Sequence, residues 1–194
     1  MKTLNTYINE WKANTSTVSS IKTQYFVYKT DRQQRIKIFD KDWPQFKTYK
    51  DKVYINGKNV ELDDDGRTIT KLEPEINYNV EIEDIDNVTN CKYMFYYCIY
   101  LVEVPLFNTS KVKDMYKMFY KCENLEEVPL FDTSKVKNMV GMFKNCERLQ
   151  NVPLFDISKV ENMACMFQCC DNLNKDTERE WSKIYDFEYD VNKK

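Results

Sequence analysis

Seven cysteines offer the softest and most nucleophilic side chains of this 194-residue chain, which contains no histidine. Four of them, Cys98, Cys122, Cys146 and Cys170, recur at a step of 24 residues, and Cys165 and Cys169 crowd the last. Such a set could form disulfides, hold a metal or fill an interior as reduced thiols. Strands stacked ~4.8 Å apart would bring column neighbours within disulfide range, yet free thiols fill the same space without strain. A zinc site built from Cys146, Cys165, Cys169 and Cys170 would need four sulfurs at a tetrahedron, which helical spacing does not readily supply. The expectation is a structural ladder of seven free thiols, with no metal and no cofactor.

Without histidine there is no Ser-His-Asp triad, no Cys-His nucleophile pair and no mixed Cys/His finger. Only 3 glycines occur, Gly57, Gly66 and Gly141, too few for a phosphate-cradling loop or a dinucleotide fingerprint. No catalytic residue is therefore assigned, and the chain is not expected to be an enzyme. Glu61-x-Asp63-x-Asp65-Gly66 has the flavour of a calcium loop, but its twelfth position is Leu72, so an acidic turn is expected. A net charge of −2 lacks the basic excess of a nucleic-acid binder. No apolar run reaches the ~18 residues of a membrane span, and no leader pattern is present, so a cytoplasmic location is expected, in a host cytoplasm if the chain is phage-encoded. Without a leader, Asn14-Thr15-Ser16, Asn87-Val88-Thr89 and Asn108-Thr109-Ser110 are read as coincidental glycosylation patterns.

The elements that must position these residues follow from self-comparison. Val104-Pro105-Leu106-Phe107 recurs at Val128 to Phe131 and at Val152 to Phe155, again 24 residues apart. Met118, Met142 and Met166 keep that step, as do Phe119, Phe143 and Phe167, and Leu101, Leu125, Leu149 and Leu173. A degenerate copy begins at Val80. In each repeat the residues around Val-Pro-Leu alternate like a short strand. Val136, Met139, Met142, Phe143 and Cys146 are spaced like one face of a helix that Asp132, Thr133 or Ser134 would cap. The fold class expected is therefore α+β. A short α/β solenoid of about four repeats over 80–174 would stand between a helix plus β-rich domain over 1–79 and a C-terminal capping helix over 175–194.

In the first part, Leu4, Ile8 and Trp11 share a helical face, and Asn14 to Ser20 reads as a linker. Gln24 to Tyr28 and Arg35 to Phe39 look like paired strands, while Asn56-Gly57 between apolar flanks signals a hairpin. At the other end, Asp176, Thr177 and Glu180 offer capping chemistry to a helix carrying Trp181, Ile184 and Tyr185.

Phe131-Asp132-Thr133-Ser134-Lys135-Val136-x-x-Met139-x-x-Met142-Phe143-x-x-Cys146, with Cys122-x-x-Leu125-x-x-Val128-x-Leu130 before it, resembles the BspA-like bacterial leucine-rich repeat. That resemblance implies a leucine-rich-repeat fold and recognition of another macromolecule. Two settings are open. One is an intracellular or phage-encoded protein-binding module, with inhibition of a bacterial defence complex as one role. The other is a bacterial surface or adhesion protein, which a leader or anchor would favour.

Candidate partner-binding positions come from three columns. Glu103, Glu127 and Asn151 precede the strands and should lie on the solvated strand face. Phe107, Phe131 and Phe155 form an aromatic stripe if the strand continues, and pack inward if the chain bends. Lys111, Lys135 and Lys159 line the helix entry. The partner expected is another protein, engaging the N-terminal part or these lysine loops as well, since the strand face alone is too small for a standard interface. Departures from the repeat mark its ends. Tyr93, Tyr97, Ile99 and Tyr100 replace the polar residues of the second copy, and Cys165 and Cys169 replace Lys117 and Lys121 in the last. The tyrosines should pack under the β domain, with a ligand-binding tyrosine patch as the alternative. The cysteines should lie under the terminal helix.

Overall fold

The computed structural model describes residues 25–185. The expected helix at Leu4, Ile8 and Trp11, the linker to Ser20, and the tail beyond Tyr185 lie outside the described residues.

The α/β solenoid is not what forms. The described residues build one five-stranded antiparallel sheet and two short helices, and the repeats contain no α-helix. Strands β1 (Phe26–Lys29), β2 (Val53–Ile55), β3 (Lys58–Asn59), β4 (Asn77–Ile82) and β5 (Leu101–Glu103) are ordered β3-β2-β4-β1-β5. Helix α1 spans Phe46–Tyr49 and α2 spans Lys175–Trp181.

The Asn56-Gly57 hairpin joins β2 to β3, with Tyr54 opposite Asn59 and both turn residues at positive φ, 50° and 77°. That turn suits the strands' right-handed twist. The expected pairing of 24–28 with 35–39 is replaced. β1 instead pairs with β4, Phe26 facing Val80, and with β5, Tyr28 facing Leu101. Residues 34–39 are held by single bridges, Gln34 to Leu72 and Lys37 to Arg67. Gly66 closes the acidic turn at φ +76°, and a Cβ there would sit 2.2 Å from the Phe39 carbonyl oxygen, so only glycine fits. Asp63 is tied into this turn through both carboxylate oxygens. One carboxylate oxygen accepts the Asp65 and Arg67 amides and the other meets Arg35. Among the described residues no group of three or more Cys, Asp or Glu could hold a metal ion.

Each repeat forms a tier of overlapping four-residue turns. In the third, the amides of Met142, Lys144, Cys146 and Leu149 donate to the carbonyls three residues back. The intervening amides of Met139, Gly141, Phe143 and Asn145 donate instead to Asn162, Ala164, Met166 and Gln168 of the next tier, at 2.8–3.0 Å. The same i to i+23 ladder runs from Cys91, Tyr93, Phe95 and Tyr97, and from Met115, Lys117, Phe119 and Lys121. A helix is impossible here because half of its amides are spent between tiers. Two residues per tier also hold a left-handed φ, as at Lys117 (51°) and Lys121 (58°). The 3–4 spacing of apolar residues belongs to the turns. Asp132, Thr133 and Ser134 cap no helix. Asp132 Oδ1 accepts the Ser134 amide at 3.0 Å, and the Thr133 hydroxyl donates to the Asp156 carbonyl at 2.9 Å.

The alternating Val-Pro-Leu segments also fail to form a continuing sheet. None of the three forms a strand: β5 ends at Glu103, just before the first of them, and pairs with β1; farther on, Glu127 and Asn151 share a single parallel bridge. Pro105, Pro129 and Pro153 lack the amide a ladder needs.

Within the tiers, Phe95, Phe119, Phe143 and Phe167 stack at 5.5–5.7 Å between centroids, with interplanar angles of 1–11°. Phe26 and Phe39 cover one end of this column, 5.3 and 5.8 Å from Phe95. At the other end Trp181 lies 5.1 Å from Phe167, and Tyr185 5.5 Å from it. One continuous apolar core thus runs from the sheet to α2. The α2 cap comes from Asn174, whose side chain accepts the Thr177 amide at 2.7 Å.

Candidate functional site

Of the positions expected to bind a partner, Phe107, Phe131 and Phe155 are buried and belong to the core, so no outward aromatic stripe exists. The rings turn in against the first phenylalanine column, with Phe131 6.2 Å from Phe119. Glu103 sits in β5 opposite Val27, half-buried, whereas Glu127 and Asn151 are exposed. They do not share one strand face. Lys111, Lys135 and Lys159 are all exposed, each on the loop that follows a Val-Pro-Leu-Phe segment.

The cysteine column is a ladder of free thiols. Cys122, Cys146 and Cys170 each direct Sγ to a carbonyl of the preceding tier, at Phe95, Phe119 and Phe143 (3.1, 2.9 and 3.0 Å). Cys98 donates to the Ile38 carbonyl at 3.4 Å, which ties the column to the N-terminal part. Burial is the main cause that pushes the thiols of Cys91, Cys98, Cys122 and Cys146 far above the ordinary cysteine value. Protonated and enclosed, they are poor nucleophiles. Cys165 and Cys169 are half-exposed rather than sealed under α2. A thiol reagent added to the native, reduced protein is therefore expected to modify these two quickly and the five buried cysteines only on unfolding. Rapid modification of all seven without denaturant would contradict the ladder.

A different cluster stands out in the structure. Tyr93, Tyr96, Tyr97, Tyr116 and Tyr120 form a continuous aromatic group on the outside of the first two tiers. Tyr96 touches Tyr93, Tyr97 and Tyr120 at 5.2, 4.7 and 5.0 Å, and Tyr93 meets Tyr116 edge-on at 5.2 Å. Tyr97 is exposed and the other four are half-buried. Tyr93 and Tyr97 do not lie under the β domain as the sequence suggested; of the tyrosines in that expectation only Tyr100 packs against the core.

Three lysines are laid over these rings. Lys92 Nζ is 5.3 Å from the Tyr93 centroid and 5.5 Å from that of Tyr116. Lys117 Nζ sits 5.1 Å from Tyr116 and 5.2 Å from Tyr120, and Lys121 Nζ 5.2 Å from Tyr97. Each contact adds an attraction on the order of 0.5–1 kcal/mol at an exposed site. Partial burial, then the neighbouring Tyr97, Tyr120 and Tyr93, pushes the Tyr96 phenol up to about 12. Tyr93 is raised as well, by burial first and then by its hydrogen bond with Tyr116. These phenols stay protonated as donors at neutral pH.

The backbone explains why this face escaped the sequence. Tyr93, Tyr97, Lys117 and Lys121 occupy the two left-handed positions of their tiers, at φ 51–61°. Reversing the backbone there turns the side chain away from the core. Gly141 and Asn145 fill the same two positions in the third tier, the residue types that adopt this conformation most readily. The sequence did carry a signal: a 24-residue offset pairs Tyr93 with Lys117 and Tyr97 with Lys121, interleaving aromatic and cationic residues on one column.

Among the described residues no helix is long and apolar enough to cross a membrane. The family model described as "Mycoplasma protein of unknown function, DUF285" matches residues 68–181, more than half of the chain. The matched span starts within the sheet-forming part and ends on α2, so it includes the last strands and every tier. No curated protein and no solved structure matches the chain.

Proposed function

The chain belongs to this family of Mycoplasma-type proteins of unknown function, and on that premise we propose that it is a non-enzymatic protein-binding module whose contact surface is the tyrosine–lysine face of its first two tiers. The observation that carries this reading is the group of five tyrosines left at the surface beside three lysines, outside the core that absorbs the repeat's phenylalanines. Tyrosine supplies a large, rigid, amphipathic contact at low entropic cost, which is why it is enriched where proteins bind one another. The likeness of the repeat sequence to the BspA-like repeat, a binding family, supports the same reading.

Placing a photo-crosslinking amino acid at Tyr97 and, separately, at Lys159 tests it. In bacterial lysate the Tyr97 probe is expected to give a discrete protein adduct of defined mass, and the Lys159 probe none. If the adduct forms only from Lys159, the binding surface has been misplaced. If Tyr97 yields only nucleic-acid adducts or none at all, the protein-binding reading is wrong.

A further inference from the structure

We propose that the tyrosine–lysine face takes an acidic peptide segment, whose carboxylates seat on the three ammonium groups that the tyrosine rings hold in place. This rests on the protein-binding reading and names the chemistry of the partner.

Charge is the first reason. Nearby acids are engaged elsewhere: Asp40 pairs with Lys37, Asp42 lies 3.7 Å from Lys41, and Asp114 Oδ1 accepts the Tyr116 amide at 2.9 Å. Lys92, Lys117 and Lys121 have no carboxylate partner among the described residues, although the chain as a whole is acidic. A local cationic group on a protein of net charge −2 selects anions by position rather than by overall attraction.

Ring geometry is the second. An ammonium above a tyrosine keeps its outward hydrogens free, so a carboxylate can close a ring–cation–anion sandwich while the phenol hydroxyls donate at the edge. The same arrangement disfavours a nucleic acid. Base stacking needs open ring faces, whereas Tyr93, Tyr97, Tyr116 and Tyr120 each have an ammonium over the ring, and Tyr96 is stacked on Tyr120 at 22°.

Backbone cost is the third. Lys117 and Lys121 hold left-handed conformations, at φ 51° and 58°, that glycine and asparagine adopt with less strain. The next tier has those very residues, Gly141 and Asn145, and its ladder is the same. The lysines are thus not required by the fold at these positions.

That equivalence supplies the test. The variant Lys117→Gly with Lys121→Asn carries the third tier's own residues, so its thermal midpoint should equal or exceed that of the wild type. Fluorescence anisotropy of a labelled peptide of alternating Glu and Ser is read against its Gln counterpart and an oligothymidylate. The full wild-type chain is expected to bind the Glu peptide in preference to both, with an affinity that falls as salt is added. The double variant should lose about tenfold or more of that affinity. Unchanged affinity in a folded variant, equal binding of the Gln peptide, or tighter binding of oligothymidylate would each overturn the proposal. If the Glu peptide fails to bind while the double variant also loses the Tyr97 protein adduct, the acidic partner is wrong and the protein-binding face stands. If neither is seen, both readings fall.

Discussion

Raising the solution from about pH 8 to about pH 10 should remove roughly 5 kcal/mol of the protein's stability, which is comparable to the whole margin of a small domain. The cause is the thiol ladder. Cys91, Cys98, Cys122 and Cys146 are raised in the folded state above the ordinary value of 9.0, chiefly by burial. A folded chain keeps these protons at a pH where an unfolded chain releases them. The unfolded state then binds fewer protons than the native one, and stability falls as pH rises. Below about pH 8 the contribution is intact; above it, each such thiol costs up to ~1.4 kcal/mol per pH unit. Geometry gives the same direction, since ionising Cys122 or Cys146 would set a sulfur anion against the carbonyl oxygen its proton now reaches. Buried Tyr28, raised mainly by desolvation, adds to the loss at still higher pH. Urea midpoints measured under reductant across this range will show the decline. A Cys122→Ala, Cys146→Ala variant should have a shallower slope. A midpoint that stays flat to about pH 10 would mean that the thiols are not enclosed as described.

Trp181→Ala is expected to cost ~3–5 kcal/mol, among the most damaging single truncations in the chain. Trp181 is fully buried, meets Phe155 and Phe167 edge-on at 5.8 and 5.1 Å, and donates its indole N–H to the Val152 carbonyl at 3.1 Å. An array of tiers has no inherent end. Whatever covers the last ring takes over the packing that a further tier would give, and here Trp181, at the end of a seven-residue helix, does so together with Tyr185. Truncation leaves a cavity beside two phenylalanines and an orphaned carbonyl. Trp181→Phe keeps one ring and gives up the hydrogen bond and part of the indole's packing, so a smaller loss of about 1–3 kcal/mol is expected. Denaturant melts of the two variants separate the contributions. Equal, small losses in both would show that the cap lies elsewhere.

Legibility in the sequence followed the physics of side chains more closely than that of the backbone. The 24-residue columns, the cysteine column among them, the Asn56-Gly57 hairpin and a C-terminal helix carrying Trp181 could all be read directly. Each depends on residue type and spacing alone. Hydrophobic periodicity says which side chains face inward, and Val136, Met139, Met142, Phe143 and Cys146 are indeed all buried.

What that periodicity does not contain is the destination of the amides. Residues three or four apart share a face in an α-helix, and they also share one in overlapping turns whose alternate N–H groups reach the next tier. Only the stack decides between the two. The amide of Met139 gains the Asn162 carbonyl because the neighbouring tier is there to offer it, and no local signal announces that neighbour. The left-handed φ at Tyr93, Tyr97, Lys117 and Lys121 follows from the same ladder and runs against the preference of those residue types. The sequence by itself thus determined the period and the inward-facing columns Val136, Met139, Met142, Phe143 and Cys146 of the repeat. Tertiary structure alone decided that the repeats are turns rather than helices and that the tyrosines face outward, because a long-range hydrogen-bond ladder outweighs local conformational preference when each pair of neighbouring tiers shares four bonds.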